Sequence, residues 1–245
     1  MHTDRRRLFS KLRLNLEHIH NFVEKFYPAM SRKGTRFTGP QSNLPLNGIY
    51  IFFERGQKIT INSGEHSRIV RVGINEKPNN FRKRISGHYR GNIEASVFRE
   101  NVGWSLLETQ GQRPRLNYRT KKAYKKHNSG GALEKQISRY FAENLIFKAF
   151  NLDHGDLALY ERILLAALSL YYQQRIRNNT MTFGSWLGLN SHSRGDRIRK
   201  SGLWNSKEVV LLDHLVSDRK KAEFIQQINE TQLELILNDM IDNIV

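Results

Sequence analysis

The sequence predicts an α/β (α+β) protein in which a small β-rich segment is set among helices. Three observations carry that expectation. Two apolar, β-branched runs, at 48–53 and 68–73, are separated by a polar connector containing glycine, as two strands would be. A third apolar run, 144–152 (NLIFKAFNL), has the length and composition of a strand. Around these runs, apolar residues recur at helical spacing over 7–27, over 157–173 and again within 206–245.

With 245 residues the chain can hold one domain plus appendages, or two small ones. Its 38% apolar and 10% aromatic residues suffice for a core. No apolar run approaches the roughly 20 residues needed to cross a bilayer. The start, MHTDRRRLFSKLRLNL, lacks the apolar stretch of a secretory signal. The absence of cysteine excludes disulfides and thiolate metal sites, which fits a cytoplasmic, nucleoid-associated protein. A net charge of +17 and a pI near 10.2 call for a polyanionic partner, nucleic acid before an anionic membrane surface. The charge is also segregated. Seven Lys/Arg and no acid lie between Gln110 and Ala132, whereas eight acids face three bases from Glu208 to Val245.

The elements follow in order. Leu8, Leu12, Leu16, Ile19, Val23 and Phe26 make one helical stripe. Arg5, Arg6, Arg7, Lys11 and Arg13 crowd its start, where the helix dipole disfavours cations; a nearby phosphate or plain solvation would each account for them. Pro28 to Pro45 reads as a polar linker. The first strand alternates Ile49, Ile51 and Phe53 with Tyr50 and Phe52, and a turn at Glu54-Arg55-Gly56 ends it. After the second strand, Asn79 or Asn80 caps a helix that buries Phe81, Ile85 and Tyr89, with Arg84 and His88 one turn apart at its margin. Another short helix within 90–105 offers Ser96 and Arg99 to a ligand. The basic segment 112–131, with Lys121, Lys122 and Lys125 and interleaved Tyr118 and Tyr124, suits nucleic-acid backbone and bases, or is a solvated loop. A helix from Ala132 leads into the third strand, and Asp153 or Asp156 caps the apolar helix from Leu157. The basic loop 194–200, with Arg197, separates Trp186-Leu187-Gly188 from Ser201-Gly202-Leu203-Trp204-Asn205. The expected organisation is therefore a basic helix and linker (1–45), a central domain (46–205) and an acidic helical extension (206–245).

Phosphodiester hydrolysis requires a deprotonated water, charge stabilisation on the phosphate and help for the leaving oxygen. On the helix from Leu157, Glu161 is surrounded at helical spacing by Leu157, Leu164, Leu165 and Leu168, while Arg162, Ser169 and Gln173 form the polar face. An acid on an apolar face needs a partner, and a metal ion or a buried arginine answers that need equally well. Glu134 and Glu143 are rival carboxylates. Arg84 and His88 combine a permanently charged fork for phosphate with a group that relays protons near neutrality. Tyr50 is by itself an ordinary packing residue.

Together these residues resemble the GIY-YIG nuclease superfamily. Gly48-Ile49-Tyr50 matches its first motif, and Arg71-Val72-Gly73 stands where the second belongs. Arg84-Ile85-Ser86-Gly87-His88 matches the R-x-x-x-H spacing of restriction-enzyme members, and Glu161-Arg162 the position of the metal-binding glutamate. The resemblance covers 46–205, and the WLG and SGLWN strings are similar to a bacterial branch. It implies a three-stranded antiparallel sheet flanked by helices and metal-dependent cleavage of DNA, with Mg²⁺ held by Glu161 and Mn²⁺ as a substitute. Tyr50 would be the general base or water-orienting group, Arg84 and His88 would steady the phosphate, and Asn205 would be the late polar residue. Arg71 replaces the tyrosine of the second motif and, always charged, is a poor base. The expected function is a restriction or genome-defence endonuclease acting on double-stranded DNA, with a homodimer as one way to cut both strands. A catalytically altered nucleic-acid-binding fold is the alternative, and an acidic tail that recruits a partner is a third.

Overall fold

The computed structural model of the protein describes residues 2–32, 35–41, 43–62, 64–77, 79–94, 96–111, 131–152, 156–191, 196–215 and 217–245, with backbone alone at 2–13, 31 and 32. Eight α-helices among these residues surround one antiparallel sheet of three strands, in the order β2-β1-β3. The strands are β1 (Gly48–Ile61), β2 (Gly64–Asn75) and β3 (Leu145–Phe150). The helices are α1 (His2–Arg32), α2 (Phe81–Arg90), α3 (Val97–Thr109), α4 (Ala132–Asn144), α5 (Leu157–Arg177), α6 (Arg197–Ser201), α7 (Arg219–Gln227) and α8 (Glu230–Asp242). The architecture is the expected one. None of the described helices is long and apolar enough to cross a membrane.

Two element boundaries and one helix face differ from expectation. Helix α1 runs through Pro28 to Arg32, although a proline normally ends a helix by removing a donor and crowding the preceding turn. Here the last turn is held from outside: Tyr27 and Met30 are fully buried, and the Met30 carbonyl accepts a hydrogen bond from the buried Lys148 ammonium. Strand β1 does not stop at Glu54-Arg55-Gly56 but continues to Ile61 and returns as β2, so the polar connector is the far end of a hairpin. Register shifts between Phe52 and Phe53, and between Phe53 and Lys58, absorb the glycine-bearing residues without ending the pairing. Helix α5 has no continuous polar face. Every residue from Ile163 to Tyr172 is buried, and Ser169 and Gln173 are covered by the chain at 210–212, exchanging hydrogen bonds with Val210 and Leu212.

Tyr50 and Phe52 point to the side of α2 and α3, where they meet Phe81, His88 and Phe98. Alternation turns Ile49 and Ile51 toward the opposite side, where α1 and α5 pack. Both outer edges of the sheet are occupied. Along β2, the Asn205 side chain accepts from the Val72 N–H at 3.2 Å and donates to its carbonyl at 2.9 Å, as a neighbouring strand would. Trp204 N–H donates to Val70 O at 2.7 Å. Tyr27 accepts from Ile69 N–H at 2.9 Å, and Tyr172 donates to Ile69 O at 2.8 Å, the two hydroxyls completing the ring between them. Along β3, Phe37 exchanges two backbone bonds with Phe147, while Asn151 and Ala149 bond to the C-terminal residues Asn243 and Val245. Helices α7 and α8 pack on α1.

The two tryptophans of the late motifs converge on one acid. Glu54, buried in the irregular part of β1, accepts from Trp186 Nε1 at 2.9 Å, Trp204 Nε1 at 3.1 Å and the Tyr140 hydroxyl. Burial pushes its carboxyl above the ordinary range, opposed by those donors and by nearby Arg68. Arg68, also buried, stacks 4.5 Å from the Trp186 ring centroid. Replacing Glu54 by Leu leaves three buried donors unpaired at about 1–3 kcal/mol each, so a loss of at least about 3 kcal/mol is expected in denaturant unfolding. Glu54→Gln, which retains an acceptor, loses less.

Candidate active site

Tyr50 on β1 and Gly73 on β2 are direct cross-strand partners, and the phenol ring lies across the glycine. A Cβ at Gly73 would come within 2.4 Å of the Tyr50 ring and hydroxyl. Gly48 has φ +124°, and a Cβ there would fall 1.9 Å from the Phe150 carbonyl. Each motif glycine therefore makes room for one specific neighbour. The first lets β1 start against β3, and the second seats the tyrosine.

The Tyr50 hydroxyl sits 2.9 Å from His88 Nε2 and accepts from Arg84 Nε at 3.3 Å. His88 Nδ1 is 2.9 Å from Ser96 Oγ, which also accepts from Arg99 N–H as the N-cap of α3. His88 is buried, and burial first, then Arg71, Arg84 and Arg99, hold its imidazole well below the usual range. A neutral imidazole donates from one nitrogen only. Arg84 donates to the phenol oxygen; in the tautomer with Nδ1–H donating to Ser96, Nε2 is free to accept the phenolic proton.

Arg84 and His88, expected side by side at a helix margin, are separated by environment. Arg84 is exposed and remains accessible to a ligand, while His88 is enclosed behind Tyr50. The expected cap is absent as well: Asn80 makes no side-chain bond to the first turn of α2. Tyr50, followed by Glu161, holds the Arg84 guanidinium more firmly protonated, against the effect of partial burial.

Glu161 lies in the first turns of α5, directly after β3 and its Asp156 cap, and is half-buried. Burial raises its carboxyl above the ordinary range; Arg71 and Arg84 pull it down, while Glu208 and Glu76 push it up. Arg71 is buried, with Phe98 4.7 Å below its guanidinium and Nη1 3.4 Å from the Trp204 carbonyl. Its Nε has no hydrogen-bond partner among the described residues. Burial lowers its proton affinity, with Tyr50 and Glu161 supporting the charge and Arg84 opposing it. Tyr50, Arg71, Arg84, His88 and Glu161, distant in sequence, thus share one electrostatic neighbourhood.

A family model described as the GIY-YIG domain matches residues 17–234. The chain belongs to the GIY-YIG domain family. Nuclease is the general class of activity that membership brings. No curated protein and no solved structure matches the chain.

Arg99, expected to meet a ligand such as nucleic acid, and Asn205, expected as the late polar residue at the nucleic-acid site, instead hold this GIY-YIG domain together. Arg99 is fully buried; it donates to the His88 and Tyr89 carbonyls at 2.9 and 3.2 Å and pairs with Glu134 at 2.5 Å. It thereby fixes the C-terminal end of α2 to α4, leaving no face for a polyanion. Glu134 also accepts from Ile93 N–H at 2.8 Å, which removes it as a rival metal ligand, and Glu143 is exposed. Asn205 is spent on Val72, for a strand edge offers both a donor and an acceptor that one carboxamide satisfies. Arg197 is half-buried and donates to Ser206 O. Lys121, Lys122 and Lys125 lie outside the described residues.

Not legible in the sequence is an open cleft of about 960 Å³ along α2, reaching from Lys77 past Arg82, Lys83 and Arg84 to Arg90 and Ser96, with no acid among the described residues that line it. Among the described residues no group of three or more His, Asp or Glu side chains converges to hold a metal. Glu161, a partly desolvated carboxylate, fits an ion that keeps most of its coordination for water and substrate oxygens, as Mg²⁺ does.

The depressed His88 pKa has a consequence for stability. The unfolded chain takes up a proton near pH 6.5 and the folded one only at lower pH, so stability is complete above 6.5 and falls by about 1.4 kcal/mol per pH unit below it. Unfolding of wild type and His88→Gln, followed from pH 7 to 5, should show that slope component in wild type alone.

Proposed function

We propose that the protein is a metal-dependent endonuclease hydrolysing phosphodiester bonds in double-stranded DNA, of restriction or genome-defence type. The observation that carries this reading is the Tyr50–His88 pair beside Arg84, with Arg84 coupled electrostatically to Glu161 and lining a basic cleft. The R-x-x-x-H spacing supports the restriction type.

In this reading a phosphate in the cleft is held by Arg84, whose charge is permanent and whose position is fixed by Tyr50. Tyr50 removes the proton of the attacking water as its own phenolic proton passes to His88 Nε2. The water oxygen bonds to phosphorus, and the bond from phosphorus to the leaving sugar oxygen breaks. Burial first, and then three arginines, suppress protonation of His88 in the free protein. A bound phosphate offsets that positive field, so the proton affinity of His88 rises when substrate is present. Arg71 supports the anionic side of the site at Tyr50 and Glu161, a positioning role that its burial allows and base chemistry does not require. Glu161 would hold Mg²⁺, or Mn²⁺ in its place. When bound, the ion supplies positive charge to the phosphate and the leaving oxygen.

Arg71 in place of the second-motif tyrosine favours one other reading, a fold that binds DNA without cutting it. Tight binding unaffected by Glu161→Ala, with no nicking, would decide for it.

Supercoiled plasmid incubated with Mg²⁺ should be nicked or cut, and chelator should stop the reaction. Tyr50→Phe is expected to reduce the rate by about 10²–10⁴-fold, and Glu161→Ala to remove the response to metal. Acidification should weaken metal activation sooner than an ordinary carboxylate would, because the Glu161 carboxyl is raised. Gly73→Ala, which displaces the phenol, should cost about 10²-fold with the metal response retained. Intact DNA after prolonged incubation with varied sequences and metals refutes the proposal.

A further inference from the structure

We infer that the solvent-facing side of α2 is the track for the backbone of the DNA strand being cut, with Arg82 and Lys83 holding phosphates to one side of the scissile one and Arg90 to the other. This rests on the nuclease reading above and adds the residues and direction of substrate binding.

Arg84, fixed by Tyr50 and lining the cleft, marks the scissile position between Arg82 and Arg90 along α2. Arg82 and Arg90 are eight residues apart, about 12 Å along the helix axis. That spans three to four nucleotide steps at about 3.4 Å of rise per strand. Between them lie Ser86 and Gly87, and a Cβ at Gly87 would meet nothing within 4 Å, so a backbone can approach the helix closely.

Some cations elsewhere on the surface are neutralised by acids: Lys58, Arg177, Arg199 and Arg219 are each paired with one. Arg82, Lys83 and Arg90 are exposed and have no ion-pair partner among the described residues. Three consecutive cations, Arg82, Lys83 and Arg84, occupy the first turn of α2 with no acid among them, against the helix dipole. A row of unpaired cations in a dipole-unfavourable place is explained by an anion that binds over it. Neighbouring α3 and α4 brace the helix from behind through the Arg99 hub, so the spacing of the cations is rigid.

The test is the salt dependence of binding. The full-length protein is titrated against a fluorescent double-stranded oligonucleotide in chelator, which prevents cleavage, at salt from about 50 to 200 mM. The Arg82→Ala/Lys83→Ala/Arg90→Ala variant should bind at least tenfold more weakly, and its slope of log affinity against log salt should be shallower by about 2 to 3. Arg90→Lys should keep the wild-type slope. Lys58→Ala and Arg219→Ala, which remove paired cations, are controls expected to leave the slope unchanged. An unchanged slope in the triple variant, or equal losses in the controls, overturns the track while leaving the nuclease reading intact. Absence of wild-type binding at low salt overturns both.

Discussion

A sheet of three strands has one strand inside and two at the edges, so most of its length exposes backbone groups that must be satisfied from elsewhere. This constraint organises the chain. The long helix α1, the residues around Phe37, the Trp204-Asn205 segment and the C-terminal residues 243–245 all contribute bonds to an edge of β2 or β3. The segments at the two ends of the chain are thus joined to the same sheet that carries Tyr50. The family match from 17 to 234 extends on both sides of 46–205, in keeping with that packing.

Placing Tyr50 on the interior strand of this sheet gives its hydroxyl a rigid origin. The ring is pinned by Gly73 beneath it and by Phe52, Phe81 and His88 around it. Behind that ring the hydrogen bonds run from Tyr50 through His88 and Ser96 to the first turn of α3. Arg99 then ties α2 to α4. Burial, together with Arg71, Arg84 and Arg99, keeps the imidazole neutral, so it can serve as a hydrogen-bond link between Tyr50 and Ser96.

Much of the site was legible because its chemistry is written in short motifs. Gly48-Ile49-Tyr50, the Arg84/His88 spacing and Glu161 after a strand could be named from the chain, and the structure brings them together. Residues whose role depends on a distant partner could not be judged this way. Arg99 and Asn205 read as surface-seeking polar side chains, yet Glu134 and Val72, 35 and 133 residues away, consume their hydrogen bonds. Glu54 read as a turn residue, and nothing local announces that two tryptophans and a tyrosine converge on it. Local pattern likewise ended α1 at Pro28 and assigned α5 a polar face, because it carries no information about which segment will cover Ser169 and Gln173.

The sequence by itself determined the three strands, the long apolar helix after the third, the cationic helix after the second and the strong positive charge. Those features follow from periodicity, turn residues and composition, which act over a few positions. Only the tertiary structure decided which polar groups are free. Burial and pairing are properties of neighbours in space. They left Arg82, Lys83, Arg84 and Arg90 facing an open cleft while enclosing Arg68, Arg71 and Arg99, residues of the same chemical type.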